Sequence, residues 1–431
     1  MKYSIYNTIL PLSEKLGLVY CGTTDQFVIY KRDLTPLLNS LSADQLAFEA
    51  HGLYTELVKG GGIVPDSVDE FANLKRIANE AEENPLSYRL IINPTVDCNF
   101  KCWYCYENHI KGSKMGEETL HRIILLISNI LNEHKALETF NLSFFGGEPL
   151  LYYNEIVRPI LDSCRKECQL HQVRLLVNFT SNGYLINEDL ISHLTECNEP
   201  KCFQITLDGN RERHNKTRFQ VRGEGSYDVI IANIKHLLSS GIEVILRINY
   251  TALNILSVRD VLNDLDSIDI ENRKLLTVSF HRVWQDRQRH DLSDSVVENI
   301  VELFREKFNN VGDSYSMNNL RNPCYADKSN EAVINFDGNV FKCTARDFSM
   351  ENRNGILDTN GKIIWNEDIK SRCIAKLSRV ICSTCRLLPL CGGSCSQKSI
   401  ENLDVETCID GLSNEDINKV VLQRFYDCYV R

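Results

Sequence analysis

The sequence predicts an α/β fold: a partial (β/α)6 barrel over residues 88–310, preceded by a winged-helix-like domain over 1–87 and followed by a cysteine-rich domain over 311–431. Three observations predict it. The middle of the chain alternates short β-rich runs with longer amphipathic segments, the first part places two or three strands ahead of helices, and nine of the 17 cysteines fall in the last 108 residues. The length of 431 residues agrees with three domains of about 150 residues each.

Composition sets limits on function. With 43% hydrophobic and 25% charged residues, the chain has ample material for buried cores and is neither disordered nor fibrous. No run reaches the roughly 18 apolar residues of a membrane-spanning helix, and the opening MKYSIYNTIL lacks the apolar stretch of a signal peptide. A cytoplasmic location without a membrane partner is therefore expected. A net charge of −10 argues against nucleic acid as a partner. Seventeen cysteines in a large cytosolic chain point to metal or redox chemistry more than to disulfides.

Each element has its own signal. Apolar runs at 4–10 and 27–30, around the turn-like Gly22-Thr23-Thr24-Asp25, read as strands. Ser42 and Gln45 form a capping box, and Leu46, Ala50, Leu53 and Leu57 make one apolar stripe that stops at Gly60-Gly61-Gly62. A second amphipathic segment covers about 67–82. In the middle part the strand candidates are 88–94, 139–145, 173–180, 202–207, 244–250 and 275–283, while Leu120, Ile123, Ile124, Ile127 and Leu131 give 117–131 a helical period. Such alternation implies parallel strands with helices outside and ligands at the C-terminal strand edge. From about Tyr315 the chain is irregular and cysteine-dense, a composition held by metal more than by an apolar core.

Directly after the first of these strands come Cys98, Cys102 and Cys105, a C-x3-C-x2-C spacing in one tight loop. Three thiolates from one loop hold three irons of a 4Fe-4S cube and leave the fourth iron open for chemistry. The competing readings are a zinc knuckle lacking a ligand and three incidental buried thiols. A place at the end of a strand entering a βα array favours iron–sulfur.

This pattern, with Tyr104 before the third cysteine, resembles the radical S-adenosylmethionine (SAM) superfamily over roughly residues 88–283. A second motif carries the same resemblance: the next strand ends in Gly146-Gly147-Glu148-Pro149, which in that family meets the SAM amino group through backbone carbonyls and the glutamate region. Ser181-Asn182-Gly183 resembles the polar ribose-contact segment. Thr206-Leu207-Asp208-Gly209, with His214 and Arg218 downstream, resembles the family's S-L-D-G…H-D…R stretch, with Thr206 for Ser and Asn215 for Asp. Arg247 and Asn249 on the fifth strand also face SAM in this reading, and Tyr104 neighbours the adenine.

The C-terminal cysteines extend the resemblance. Cys324, Gly338 and Cys343 precede Cys382-x2-Cys385-x5-Cys391-x3-Cys395 and then Cys408, a run similar to the SPASM extension that carries auxiliary 4Fe-4S clusters behind radical SAM cores. By that resemblance Cys382, Cys385, Cys391 and Cys408 hold one cluster, and Cys324, Cys343 and Cys395 contribute to another. The second either recruits Cys373 or keeps an open iron. A zinc ribbon on Cys382, Cys385, Cys391 and Cys395 is the competing reading of the spacing. Cys428 is an alternative to Cys408.

The resemblance implies an oxidoreductase that reductively cleaves SAM at the Cys98/Cys102/Cys105 cluster to a 5′-deoxyadenosyl radical, which abstracts hydrogen from substrate. It also implies a small electron donor such as flavodoxin or ferredoxin. Maturases of ribosomally made, post-translationally modified peptides (RiPPs) often begin with a winged-helix-like element whose β edge pairs with the leader of a precursor peptide, and residues 1–87 fit that description. The expected product is an oxidative cross-link, thioether or carbon–carbon. Sulfatase-type formylglycine formation, peptide epimerisation, and a non-catalytic Fe–S or zinc protein are the alternatives.

Overall fold

The structure, a computed structural model, describes all residues except 221–222, 224, 287–291, 314–319, 367–370, 403 and 430–431, and all side chains of the rest except those of 313, 371, 373 and 374. Cys373, a candidate auxiliary ligand, thus has its side chain outside the described part. The chain forms two compact units that do not follow chain order. One contains Met1–Asn84, Met317–Ser329 and Glu367–Arg431; the other contains Pro85–Ser316 and Asn330–Asn366.

In the first unit, strands β1 (Asn7–Pro11), β2 (Leu16–Cys21) and β3 (Gln26–Lys31) form an antiparallel meander. The strand β2 was not separable by alternation because five of its six residues are buried, on both faces. Gly17 in β2 lies under a ring: a Cβ there would stand 2.3 Å from Tyr30 Cζ. The Ser42–Gln45 capping box forms as expected, each side chain bonding the other's backbone N–H at 2.9–3.2 Å. The helical stripe, expected as one helix, is two, Ala43–Glu49 and His51–Gly60, because Ala50 sits outside helical geometry at φ −144° and ψ 61°. Leu46, Leu53 and Leu57 still share one core, with Val19, Val28 and Ile63. Gly61, at φ 78°, ends the second helix.

Helix Glu70–Glu82 follows, capped by Asp69, whose Oδ1 accepts from Ala72 N–H at 3.0 Å. The same unit packs Leu10, Leu18 and Tyr20 of the meander against Ile417, Val421 and Phe425 of helix Asn414–Tyr429. The N-terminal sheet and the C-terminal cysteine segment therefore have a common core.

The second unit is built on six parallel strands in chain order: β4 (Ser87–Ile92), β5 (Thr139–Phe144), β6 (Arg174–Ser181), β7 (Lys201–Leu207), β8 (Glu243–Tyr250) and β9 (Leu276–Arg282). All six expected strands and the helix Glu117–Glu133 are present within about two residues of their expected ends. One edge gains the parallel β10 (Asn310–Asp313). The other gains parallel β11 (Glu331–Ile334) and the antiparallel β12 (Asn339–Phe341), β13 (Gly355–Leu357) and β14 (Ile363–Trp365). No pairing among the described residues joins the two ends, so the sheet stays open.

Parallel strands covered on both faces usually read as continuous apolar runs. Here they alternate instead. Leu142, Phe144, Val177, Phe179, Ile205, Leu246 and Phe280 are buried in the main core. On the opposite face the register aligns Thr206, Arg247 and Ser279, then Asn249 and His281, all less deeply covered apart from Asn249. The unpacked face is therefore polar. No described helix is long and apolar enough to cross a membrane.

Candidate cluster and cofactor site

The cysteine loop leaves β4 and is closed at its base by Asp97. Its Oδ1 accepts from Cys98 N–H at 2.8 Å and its Oδ2 from Gly112 N–H at 2.7 Å. Phe100 is 1% exposed and anchors the loop in the core, while Lys101 N–H donates to Phe219 carbonyl at 3.2 Å. Cys98 and Cys102 are half-buried and Cys105 is exposed. Burial pushes the thiols of Cys98 and Cys102 up and that of Cys105 up to about 11, and Cys102 adds to the shift of both others. All three are thus protonated at neutral pH, and metal binding there releases protons.

Among the described residues no three His, Cys, Asp or Glu side chains stand in a metal-ligating array, so the thiols share a loop without converging on one point. The donor set nevertheless fits the cluster: three thiols from one loop, with Phe100 N–H donating to Cys98 Sγ at 3.4 Å and Glu107 N–H to the sulfur of Cys105. Such N–H···S contacts tune cluster thiolates.

The GGEP edge is locked onto the start of this loop. Gly147 N–H donates to Thr95 carbonyl at 3.2 Å and Glu148 N–H to Asp97 carbonyl at 2.9 Å. A Cβ on Gly146 would lie 2.3 Å from the Thr95 oxygen, and one on Gly147 2.2 Å from that of Asp97. What the glycines admit here is the protein's own backbone. Glu148, 0% exposed, ties in the third strand end: its Oε1 accepts from Ser181 Oγ at 2.9 Å and Leu150 N–H at 3.1 Å, its Oε2 from Asn182 N–H at 2.8 Å. Asn182 in turn donates from Nδ2 to Asn99 Oδ1 at 2.7 Å. Three stretches remote in sequence, 97–105, 146–149 and 181–183, are thereby one assembly.

A second network centres on Tyr104. Its hydroxyl donates to Asp208, 2.8–2.9 Å from both carboxylate oxygens, and accepts from Arg218 Nη1 at 2.9 Å and Asn249 Nδ2 at 3.1 Å. Arg247 Nε donates to Asn249 Oδ1 at 2.9 Å. Burial pushes Asp208 up to about 6, opposed by Arg218 and by the Tyr104 hydroxyl. His214 supports Asp208 from behind. Its Nδ1 accepts Asp208 N–H at 3.3 Å and its Nε2 meets Ser226 Oγ at 3.0 Å, which itself donates to Arg218 carbonyl. The hydrogen bonds assign a neutral, Nε2-protonated ring, consistent with burial holding the imidazole well below its usual range. Asn215, where the family has Asp, accepts from Ser226 and Tyr227 N–H at 2.9 and 3.0 Å and so caps helix Tyr227–Ser239. Thr206 faces the open side of the sheet beside Arg247.

Tyr104 and Asp208 border a cleft of about 150 Å³ with Trp103, Thr251, Leu253 and Val283, at the C-terminal strand edge where a ligand was expected. One residue escaped the motif reading. Glu107, two positions past the third cysteine, buries its Oε2 with no hydrogen-bond partner among the described residues, and burial beside Glu148 pushes its carboxyl up to about 8.

In the other unit, Cys382 is pushed up to about 11 by burial and then by the Cys385 and Cys408 thiols, and Cys391 to about 12 with Cys382 among its causes. Cys382 therefore lies within electrostatic reach of each of the other three cysteines assigned to one auxiliary cluster. Cys324 and Cys395 belong to this unit and Cys343 to the sheet unit. Cys164 and Cys168 lie in the main core, their sulfurs 3.9 Å apart.

Residues 92–268 match the radical SAM superfamily. That segment is a radical SAM domain. The chain is 30% identical over 156 residues to a cysteine-type anaerobic sulfatase-maturating enzyme of Clostridium novyi, a match covering 35% of this chain and 40% of that protein. It thus spans about two fifths of that relative's length. A radical SAM cyclopropyl synthase, TigE of Paramaledivibacter caminithermalis, is 22% identical over 400 residues, 84% of this chain and 80% of that one. Among solved structures, the radical SAM fold here is similar to anSMEcpe with bound AdoMet, at a TM-score of 0.58 and 20% identity over 79% of this chain and 92% of that chain. It is also similar to Streptococcus suis SuiB bound to precursor peptide SuiA, at a TM-score of 0.54 and 14% identity over 94% and 98%.

Proposed function

We propose that the protein is a radical SAM peptide maturase with a SPASM-type cysteine segment that installs an oxidative cross-link, thioether or carbon–carbon, in a ribosomally made precursor peptide. One observation carries the reading: the Cys98/Cys102/Cys105 loop is bolted to the ends of β5 and β6 through Glu148 and Asn182, at the C-terminal edge of an open parallel sheet whose free face is polar. Together, a reduced 4Fe-4S cluster and SAM supply a carbon-centred radical able to take hydrogen from an unactivated C–H bond.

The protein's own residues do the rest. Cys98, Cys102 and Cys105 would hold the cluster. Gly146, Gly147, Glu148, Ser181 and Asn182 fix its loop, and Tyr104, Thr206, Asp208, Arg218 and Arg247 form the polar wall that would orient SAM. Cys382, Cys385, Cys391 and Cys408 would hold an auxiliary cluster that would accept the electron left on substrate. In the first unit, the outer strands β1 and β3 of the meander leave edges unpaired among the described residues, suited to strand addition by an extended leader. The similarity to SuiB, whose structure holds a bound precursor peptide, supports a peptide substrate.

The test is anaerobic reconstitution with iron and sulfide, then incubation with SAM, dithionite and the short precursor encoded nearest the gene. Formation of 5′-deoxyadenosine with loss of two hydrogens from the peptide is expected; wild-type protein that takes up zinc and no iron overturns the reading. Formylglycine formation has specific support in the relative from Clostridium novyi. It is distinguished by an aldehyde that a hydrazide probe captures. An unchanged peptide mass with an inverted residue indicates an epimerase.

A further inference from the structure

We infer that Lys101, Trp103 and Arg213 form the patch on which an acidic electron-carrier protein docks to reduce the cluster at Cys98, Cys102 and Cys105. The inference rests on the radical SAM reading and deepens it by placing the electron's point of entry. Cys102 is flanked in the chain by Lys101 and Trp103, both exposed, Trp103 to 58%. Their stretch is held against the segment that follows helix Arg211–Thr217: Lys101 N–H donates to the Phe219 carbonyl at 3.2 Å, and Phe100 pairs with Gln220. Arg213 and Lys216 of that helix line the same cleft as Trp103.

The patch is opposite in sign to the chain, whose net charge is −10. Lys216 pairs with Glu212 at 2.6 Å and Arg211 with Asp228 at 2.7 Å, which leaves Lys101 and Arg213 without an ion pair among the described residues. Two exposed, unpaired cations beside an exposed indole suit a partner with an acidic rim: the charges steer the encounter and the aromatic ring supplies contact area. Position says what that partner delivers. Both Lys101 and Trp103 adjoin the ligand Cys102, and the Tyr104 ring stands edge-on behind Trp103 with centroids 5.4 Å apart. A carrier seated here brings its reduced group close to the cluster from outside, clear of the polar strand face. The step is a single electron transfer: the carrier is oxidised by one electron, the 4Fe-4S cube passes from its 2+ to its 1+ state, and no bond forms or breaks.

The test uses full-length, iron-reconstituted protein under anaerobic conditions and its variant carrying both Lys101→Glu and Arg213→Glu. Lys274→Glu is the control for overall charge, since Lys274 is exposed and precedes β9 at the opposite edge of the sheet. Formation of 5′-deoxyadenosine from SAM is driven by reduced flavodoxin or ferredoxin, both acidic, by reduced methyl viologen, a small cation, and by dithionite. At low ionic strength the double variant is expected to be about 10- to 100-fold slower with the carrier proteins and not slowed with the other two reductants. The difference closes in about 1 M salt, where charges are screened within about 3 Å. Calorimetric binding of oxidised flavodoxin weakens in parallel, a readout independent of turnover. Unchanged carrier-driven rate and binding in the double variant overturn the inference. So does equal slowing with every reductant, which assigns the patch to SAM or peptide, and so does equal slowing by Lys274→Glu. Wild-type protein that dithionite activates and neither carrier does also overturns it, whereas wild-type protein that cleaves no SAM with any reductant defeats the radical SAM reading instead. Iron per chain is read for every variant, and Lys101→Gln with Arg213→Gln replaces the double reversal if that protein loses iron.

Discussion

At the scale of single residues, buried polar groups fix the site. Glu148 accepts three hydrogen bonds at full burial, and charge-assisted bonds of this kind contribute about 1.5–3 kcal/mol each. Glu148→Gln replaces one acceptor oxygen by an amide that faces N–H or O–H donors, so a loss of about 2–3 kcal/mol in denaturant unfolding is expected. Gly147→Ala pushes a Cβ against backbone, the Asp97 carbonyl, which has no side-chain freedom to yield; a cost of about 1–3 kcal/mol or more is expected, with lower iron retention by the loop. Proton linkage gives a third prediction. His281, hydrogen-bonded to Ser279 Oγ at 2.9 Å, is pushed down to about 4 by burial and by Arg247. The unfolded chain takes up its proton near pH 6.5 and the folded chain only near 4, so this contribution is complete above about 6.5 and is lost as the pH falls toward 4. His214, also held low, acts in the same direction. Unfolding of metal-free His281→Gln should show a shallower loss of stability between pH 7 and 5 than wild type; an identical slope refutes the assignment.

At the scale of elements, the interrupted family pattern at Asn215 turns out to be a helix cap. Its Oδ1 accepts the two N–H groups that open helix Tyr227–Ser239, a task an ionised Asp performs with an added favourable charge at the helix start. Asn215→Asp should therefore be neutral or stabilising by about 0.5 kcal/mol, whereas Asn215→Ala should cost about 1 kcal/mol by thermal unfolding. The six parallel strands and helix Glu117–Glu133 were legible because apolar periodicity is a local property of the chain. Strand β2 was not, because Leu18, Val19, Tyr20 and Cys21 are buried in succession and leave no alternation to read. Nor was the break at Ala50, which lies within a stripe whose apolar spacing continues unbroken on either side.

At the scale of the whole molecule, the N-terminal and C-terminal segments belong to one discontinuous unit, cemented by charge as well as by the core around Tyr20 and Phe425. Lys376, 2% exposed, lies 2.5 Å from Glu82 and 3.1 Å from Asp327, joining helix Glu70–Glu82, segment 317–329 and helix Ser371–Leu377. Lys376→Met removes the buried ammonium that faces both acids, and a loss of about 3–5 kcal/mol is expected, read as a lower midpoint of unfolding for this unit. Removal of residues 1–84 should likewise expose the C-terminal cysteine segment to proteolysis, read by limited digestion.

The sequence by itself determined the chemistry available, because thiol spacing within one loop and glycine pairs at a strand end are set by a few adjacent residues. It also determined the order of the sheet, since short βα connections leave neighbouring strands little choice. Only the tertiary structure decided what each polar group does. Which acid is satisfied and which is not depends on partners dozens of residues away: Ser181 and Asn182 for Glu148, none among the described residues for the buried Oε2 of Glu107. The same holds for the division into units, because the apolar face of β1 and β2 finds its cover in a helix some 400 residues later, and packing is indifferent to distance along the chain.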